Sequence, residues 1–117
     1  MNTGFLDRIS PTGGRPYQVY VPRQYSPDRR WPVVLFLHGA GEGGGGGLLQ
    51  TEFQLGSAIR RHSDLFESLA VFPQQHPCSG WGGEDLSMAL ACLEQTCRDY
   101  SIDHARQSLC GVSSGAI

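Results

Sequence analysis

Residues 33–37 read Val-Val-Leu-Phe-Leu, five apolar side chains with no polar position among them. A strand with one wet face alternates apolar and polar residues, so an unbroken run of this length belongs to a strand covered on both faces. That requirement calls for a central strand of a parallel sheet with helices on either side. "LAVFPQ" at 69–74 and "QSLCG" at 107–111 read as two further buried strands. Between them, residues 84–100 carry Leu86, Leu90, Leu93 and Cys97 at helical spacing, with Glu84 and Asp85 where the amino-terminal dipole favours negative charge. A weaker amphipathic helix falls within 48–62. Strands alternating with helices predict an α/β fold with a mostly parallel sheet.

The amino-terminal segments "GFLDRIS" and "RPYQVYVP" are separated by "PTGG" and predict an antiparallel hairpin. In the second, Tyr17, Val19 and Val21 alternate with Gln18 and Tyr20, the period of a half-buried strand. "SIDHAR" reads as a connector, fixed into the last strand by capping and pairing through Asp103 and Arg106. No repeat or linker divides the 117 residues, which suit one domain.

Composition narrows the partners. Apolar residues make up 39% and charged residues 17%, which is globular rather than disordered. A net charge of −2 offers no field for nucleic acid or an anionic membrane surface. The longest apolar stretch is far too short to span a bilayer, and the amino terminus lacks a signal-peptide pattern. Cys78, Cys92, Cys97 and Cys110 form no Cys-x-x-Cys and have no histidine at zinc-finger spacing. Reduced, buried thiols in a cytoplasmic protein without a metal are the expectation.

Two glycine-rich segments carry chemistry. Gly111-Val112-Ser113-Ser114-Gly115 is the Gly-x-Ser-x-Gly turn, in which a serine sits at the apex between a strand and a helix. The glycines let the two backbones come close there. "LFLHGAGEGG" places a loop at the carboxyl end of a buried strand, where an α/β sheet builds its site. Glycines in that loop free backbone N–H groups to face a developing oxyanion. His38, with Gly39 and Gly41, is expected to orient the loop rather than act as a base.

The same loop fits Gly-x-Gly-x-x-Gly, but Gly45-Gly46-Gly47 prolong it where a dinucleotide fingerprint would open a helix. A Walker loop needs a lysine, and the chain has none. Trp81, after the "LAVFPQ" strand, could line a substrate pocket or simply lid the core. Asp85 fits the first turn of a helix better than a triad. His62, His76 and His104 read as solvated.

In this order, "VVLFLHGAGE", "LAVFPQQHP", Trp81, "IDHARQSLCG" and "GVSSG" resemble the α/β-hydrolase superfamily. More narrowly, they resemble phospholipase/carboxylesterases and polyhydroxybutyrate depolymerase-like esterases. The resemblance runs from Phe5 to Gly115. It implies a serine carboxylesterase that takes a small-molecule ester through an acyl-enzyme, with no cofactor. Ser113 would be the nucleophile, and the backbone N–H groups of Ala40 and Ser114 would form the oxyanion hole. Ser114 departs from the larger residue common at that place in the family.

The family's acid and histidine follow the nucleophile, whereas all four histidines here precede Ser113. The expectation is therefore the amino-terminal portion of a single hydrolase domain over 1–117, inactive on its own. "QSLCG" would then form a sheet edge with Leu109 and Cys110 uncovered, open to self-association. A serine peptidase, a dienelactone-hydrolase-like enzyme and a non-catalytic binding module are the alternatives.

Overall fold

A tight turn folds the first two strands together. In the computed structural model, which describes residues 2–11, 13–38, 54–74 and 83–111, Gly13 and Gly14 hold φ of +78° and +63°. Side-chain-bearing residues rarely adopt these values. Strand β1 (Gly4–Ile9) thereby turns back as β2 (Pro16–Val21), antiparallel from Gly4 opposite Val21 to Ile9 opposite Pro16. The backbone N–H of Ser10 closes the turn by donating to the carbonyl of Arg15 at 2.7 Å.

Three more strands follow: β3 (Trp31–Leu37), β4 (Leu69–Pro73) and β5 (Ile102–Gly111). They complete a five-stranded sheet in the order β1-β2-β4-β3-β5. The β4–β3 and β3–β5 pairings are parallel, but β2 pairs antiparallel with β4 as well as with β1. The sheet is thus mixed rather than mostly parallel. The reason lies in β2, where every residue from Tyr17 to Val21 is buried, not half-buried. Tyr17, Val19 and Val21 join one core and Tyr20 the other. A strand that carries large apolar side chains toward both cores gains more inside the sheet than at its edge, and Gln18 is accommodated there by donating to Asp7 Oδ1 at 2.9 Å.

The run at 33–37 does what its composition demands. Val33, Leu35 and Leu37 point to the core shared with helix α2 (Glu84–Asp99). Phe36, with the partly buried Val34, points to the core shared with helix α1 (Gln54–Arg61). Helices on opposite faces are what such a strand requires.

Helix α2 forms where expected but turns a different side inward. Asp85, Met88, Ala89, Cys92 and Thr96 are its buried residues, while Leu86 and Leu90 are 37% and 50% exposed. Ala89 and Cys92 are small and let the helix come close to Leu69 and Val71. Thr96 tolerates burial because its hydroxyl donates to the Cys92 carbonyl at 2.9 Å. Leu93 and Cys97 are only partly buried against the same core.

Strand β5 is longer and more exposed than "QSLCG" suggests. The expected connector lies inside it: Trp31 pairs with Ile102, yet the next pair is Val33 with Gln107. The extra residues bulge. Asp103 shapes the bulge, accepting from the Ala105 N–H at 3.0 Å and from Arg106 Nε at 2.8 Å. Arg106 also donates to the Arg30 carbonyl. The Arg106 guanidinium and the Ala105 N–H hold the Asp103 carboxyl below its usual pKa. With β5 at the end of the sheet, residues 104–110 are exposed and Leu109 reaches 68%. Among the described residues it stands at the edge of the sheet, with Leu109 and Cys110 exposed, as expected for 1–117 taken alone.

The described cysteines are free: Cys92 is buried, Cys97 intermediate and Cys110 exposed. Uniform burial therefore fails at Cys110, and Cys78 lies outside the described residues. Burial pushes the Cys92 thiol from 9.0 up to about 11. Burial, with Cys92 beside it, pushes the Tyr17 phenol from 10.0 to about 12.

The unfolded chain releases these protons at lower pH than the fold does, so the stabilisation is whole below about pH 9 and is lost as pH climbs through 11. Cys92 alone accounts for about 2 kcal/mol of that loss by pH 10.5. Urea unfolding at pH 7 and pH 10.5 should show a smaller drop for Cys92→Ala than for the native chain. Equal drops would count against it.

Candidate active site

Strand β3 delivers its chain to the carboxyl-end rim of the sheet at Leu37, and His38 follows, fully buried at 0% exposure. Strand β5 ends at Gly111, paired with Leu37. The two segments that lead into residues 39–41 and 112–115 therefore leave the sheet side by side, from the carboxyl ends of neighbouring parallel strands. Between β3 and β5 the chain reverses its direction of travel across the sheet, going first to β4 and then back past β3. In open α/β sheets a ligand crevice lies outside the carboxyl ends at such a reversal.

Strand β4 ends at the same rim with Pro73, followed by Gln74, 1% exposed. Because Tyr17 pairs with Pro73, the β1–β2 turn also reaches this rim, and Arg15 donates to the Gln74 carbonyl at 3.3 Å. Gly83, with φ of +54°, opens α2 nearby. A cavity of about 640 Å³ lies between the turn and the start of α2, with Arg15, Glu84, Asp85, Ser87 and Met88 in its wall. Its volume suits a small organic molecule. Sequence reasoning missed the hairpin's share in this wall, because only the long-range β2–β4 pairing brings Arg15 there. A second cavity of about 490 Å³, with Phe5, Tyr20, Arg23 and Arg60 in its wall, lies at the opposite rim.

Of the site residues expected from sequence, His38 and Gly111 are described, and both stand at the rim. Ser113, Ala40, Ser114, Gly39, Gly41, Gly115 and Trp81 lie outside the described residues, as does His76. Asp85 sits in the first turn of α2, buried at 4%. His62 and His104 are exposed, and His104 Nδ1 lies 2.9 Å from Gln107 Nε2. Among the described residues no three His, Cys, Asp or Glu side chains gather as a metal site. No described helix is long and apolar enough to cross a membrane.

No protein-family model and no curated protein matches the chain. Solved structures do. A thermostable esterase superposes with a TM-score of 0.79 at 29% identity, over 95% of this chain and 35% of its own. A CE1 ferulic acid esterase from Anaeromyces mucronatus, in complex with ferulic acid, superposes at 0.59 with 18% identity. The same enzyme without substrate superposes at 0.55. Both matches cover 98% of this chain and 50% of the other. The chain thus spans between a third and a half of these proteins' lengths. At 18% identity the second likeness concerns the fold alone. Taken together, the neighbours support an α/β fold of esterase type.

Proposed function

We propose that residues 1–117 carry the amino-terminal part of an α/β-hydrolase domain, and that the protein is a serine carboxylesterase acting on small-molecule esters. One observation carries the reading: Leu37 and Gly111 are paired neighbours at the carboxyl ends of β3 and β5. In such hydrolases one oxyanion donor comes from the loop after the third strand, and the other from the residue after the nucleophile. Both loops must therefore spring from adjacent strand ends. "HGAG" begins one residue past Leu37, and Ser113 lies two residues past Gly111. The likeness to a thermostable esterase at a TM-score of 0.79 supports the same reading.

The chemistry follows from these roles. Ser113 Oγ attacks the ester carbonyl, its proton passing to a base. The N–H groups of Ala40 and Ser114 hold the oxyanion, the alcohol departs, and water cleaves the acyl-enzyme. A serine at the apex, rather than a cysteine, favours this over a dienelactone-hydrolase-like enzyme. His38 and Gly39 shape the loop that carries Ala40, and Trp81 borders the acyl or alcohol pocket.

The test is covalent. Prolonged treatment with a fluorophosphonate, followed by peptide mass spectrometry, should place the adduct on Ser113 and leave Ser113→Ala unlabelled. An adduct on another serine, or none, would sink the assignment.

A further inference from the structure

The rim opposite Leu37 and Gly111 holds a cavity that the proposed ester chemistry does not use. It measures about 490 Å³ and is bounded by the start of β1, the end of β2 and the carboxyl end of α1. That volume falls in the range of sites for small organic molecules. Its described wall is drawn from residues 3–64, and β4 and β3 stand between β2 and β5. The cavity therefore owes nothing to the open side of β5.

Part of the wall is apolar. The paired Phe5 and Tyr20 set their rings 5.1 Å apart, and Ile59 of α1 joins the same core at 1% exposure. One polar group interrupts this surface. Tyr20 is only 4% exposed, yet its hydroxyl makes no hydrogen bond to a described residue. A buried phenol ordinarily finds a partner, and this residue borders the cavity. Burial raises the Tyr20 pKa, so the phenol keeps its proton and can donate. The Arg23 charge opposes that rise, so the guanidinium lies within electrostatic reach of the hydroxyl. Arg23 itself is exposed and enters no ion pair among the described residues. Arg60 lies over the Phe5 ring at 4.3 Å and brings a second positive charge, against the one negative charge of Asp64.

We propose that this cavity binds a small organic carboxylate, its charged end on Arg23 and the Tyr20 hydroxyl and its apolar body against Phe5 and Ile59. A guanidinium presents two parallel N–H groups that match the two oxygens of a carboxylate. The phenol supplies a further donor at the point where its own partner is wanting. Charge selects the class. Two arginines and one aspartate leave the wall with a single net positive charge. That balances a carboxylate and falls short of a phosphate group, which carries about −1.5 to −2 at neutral pH. An inorganic anion would leave the apolar wall unused, and a neutral amide would leave the guanidinium unmatched. The inference does not depend on the esterase reading.

The test is an NMR titration of the isotope-labelled full chain with phenylpropionate at fixed ionic strength. Amide shifts should gather at Phe5, Tyr20, Arg23 and Arg60 and saturate with a dissociation constant on the order of 0.1–5 mM. Arg23→Gln, a surface change, should raise that constant about tenfold or more. Tyr20→Phe keeps the ring packing and should raise it about three- to tenfold. Arg61→Gln removes the same charge from the end of α1 but outside the described wall, and should alter it less than about twofold. Phenylpropionamide should bind at least about tenfold more weakly than the acid anion. No saturation below about 20 mM, shifts gathered at His38 and Gly111 instead, or equal losses in Arg23→Gln and Arg61→Gln would each overturn the site. Equal binding of the amide, or tighter binding of phenyl phosphate, would overturn the carboxylate.

Discussion

Ala40→Pro is expected to slow acylation of Ser113 by roughly 10²–10³-fold, the usual result of removing one oxyanion-hole donor. Proline has no backbone N–H, so the substitution deletes the donor proposed for "HGAG". Ser114→Ala keeps its N–H and should cost only a few-fold, because the serine hydroxyl has no assigned role. The comparison separates a backbone role from a general disturbance of the loops. It is read from the rate of fluorophosphonate labelling, or from p-nitrophenyl ester hydrolysis where turnover is measurable. Circular dichroism serves as the check on folding. Similar small losses in both variants would remove the oxyanion assignment from Ala40 while leaving Ser113 in question only if its own labelling fails.

Trp31→Ala should destabilise the fold by about 3–5 kcal/mol, the range for deleting a large buried aromatic. Trp31 is 1% exposed at the start of β3. Its indole N–H donates to the Ser26 carbonyl at 2.9 Å, and the Arg29 guanidinium lies 3.7 Å from its ring centre. Tyr25 packs beside it and accepts a hydrogen bond from the Ser101 N–H, while the Trp31 backbone N–H donates to the Ser101 carbonyl. One residue therefore ties the 22–30 loop, the start of β3 and the entry to β5 into a single unit. Small domains have only about 5–15 kcal/mol to lose, so urea melts of this variant should show a large unfolded fraction in buffer. Trp31→Phe keeps most of the volume and forfeits the indole hydrogen bond, for roughly 1–2 kcal/mol. A loss under about 1 kcal/mol for Trp31→Ala would show that the cavity collapses without cost.

Where the sequence is legible, the signal is strong and local. Five apolar residues at 33–37 admit few environments, and both faces are indeed covered. The hairpin follows from glycines that tolerate positive φ. Where the reading fails, the answer depends on residues far away. Tyr17, Val19 and Val21 alternate as if half-buried, but the neighbouring strands and the two cores bury every residue from Tyr17 to Val21, which no local period can announce. On α2 the bulkiest stripe lies at the margin of the core, with Leu86 and Leu90 exposed, while Met88, Ala89 and Cys92 face its centre. The bulge in β5 is legible only as a polar connector, since its meaning lies in the register against Trp31 and Val33. For the proposed site, the motifs suggest Ser113 and the loop after His38, and the fold sets the strand ends before them, Leu37 and Gly111, next to one another.

The β3–β5 pairing also has a timetable. Leu37 and Gly111 are partners, yet 74 residues separate them along the chain. At a synthesis rate of about 5–20 residues per second, β3 waits roughly 4–15 s for that neighbour. For those seconds the most continuously apolar strand of the molecule has one edge bare. Of the five strands, β5 is the last to emerge, and it is the one that closes that edge.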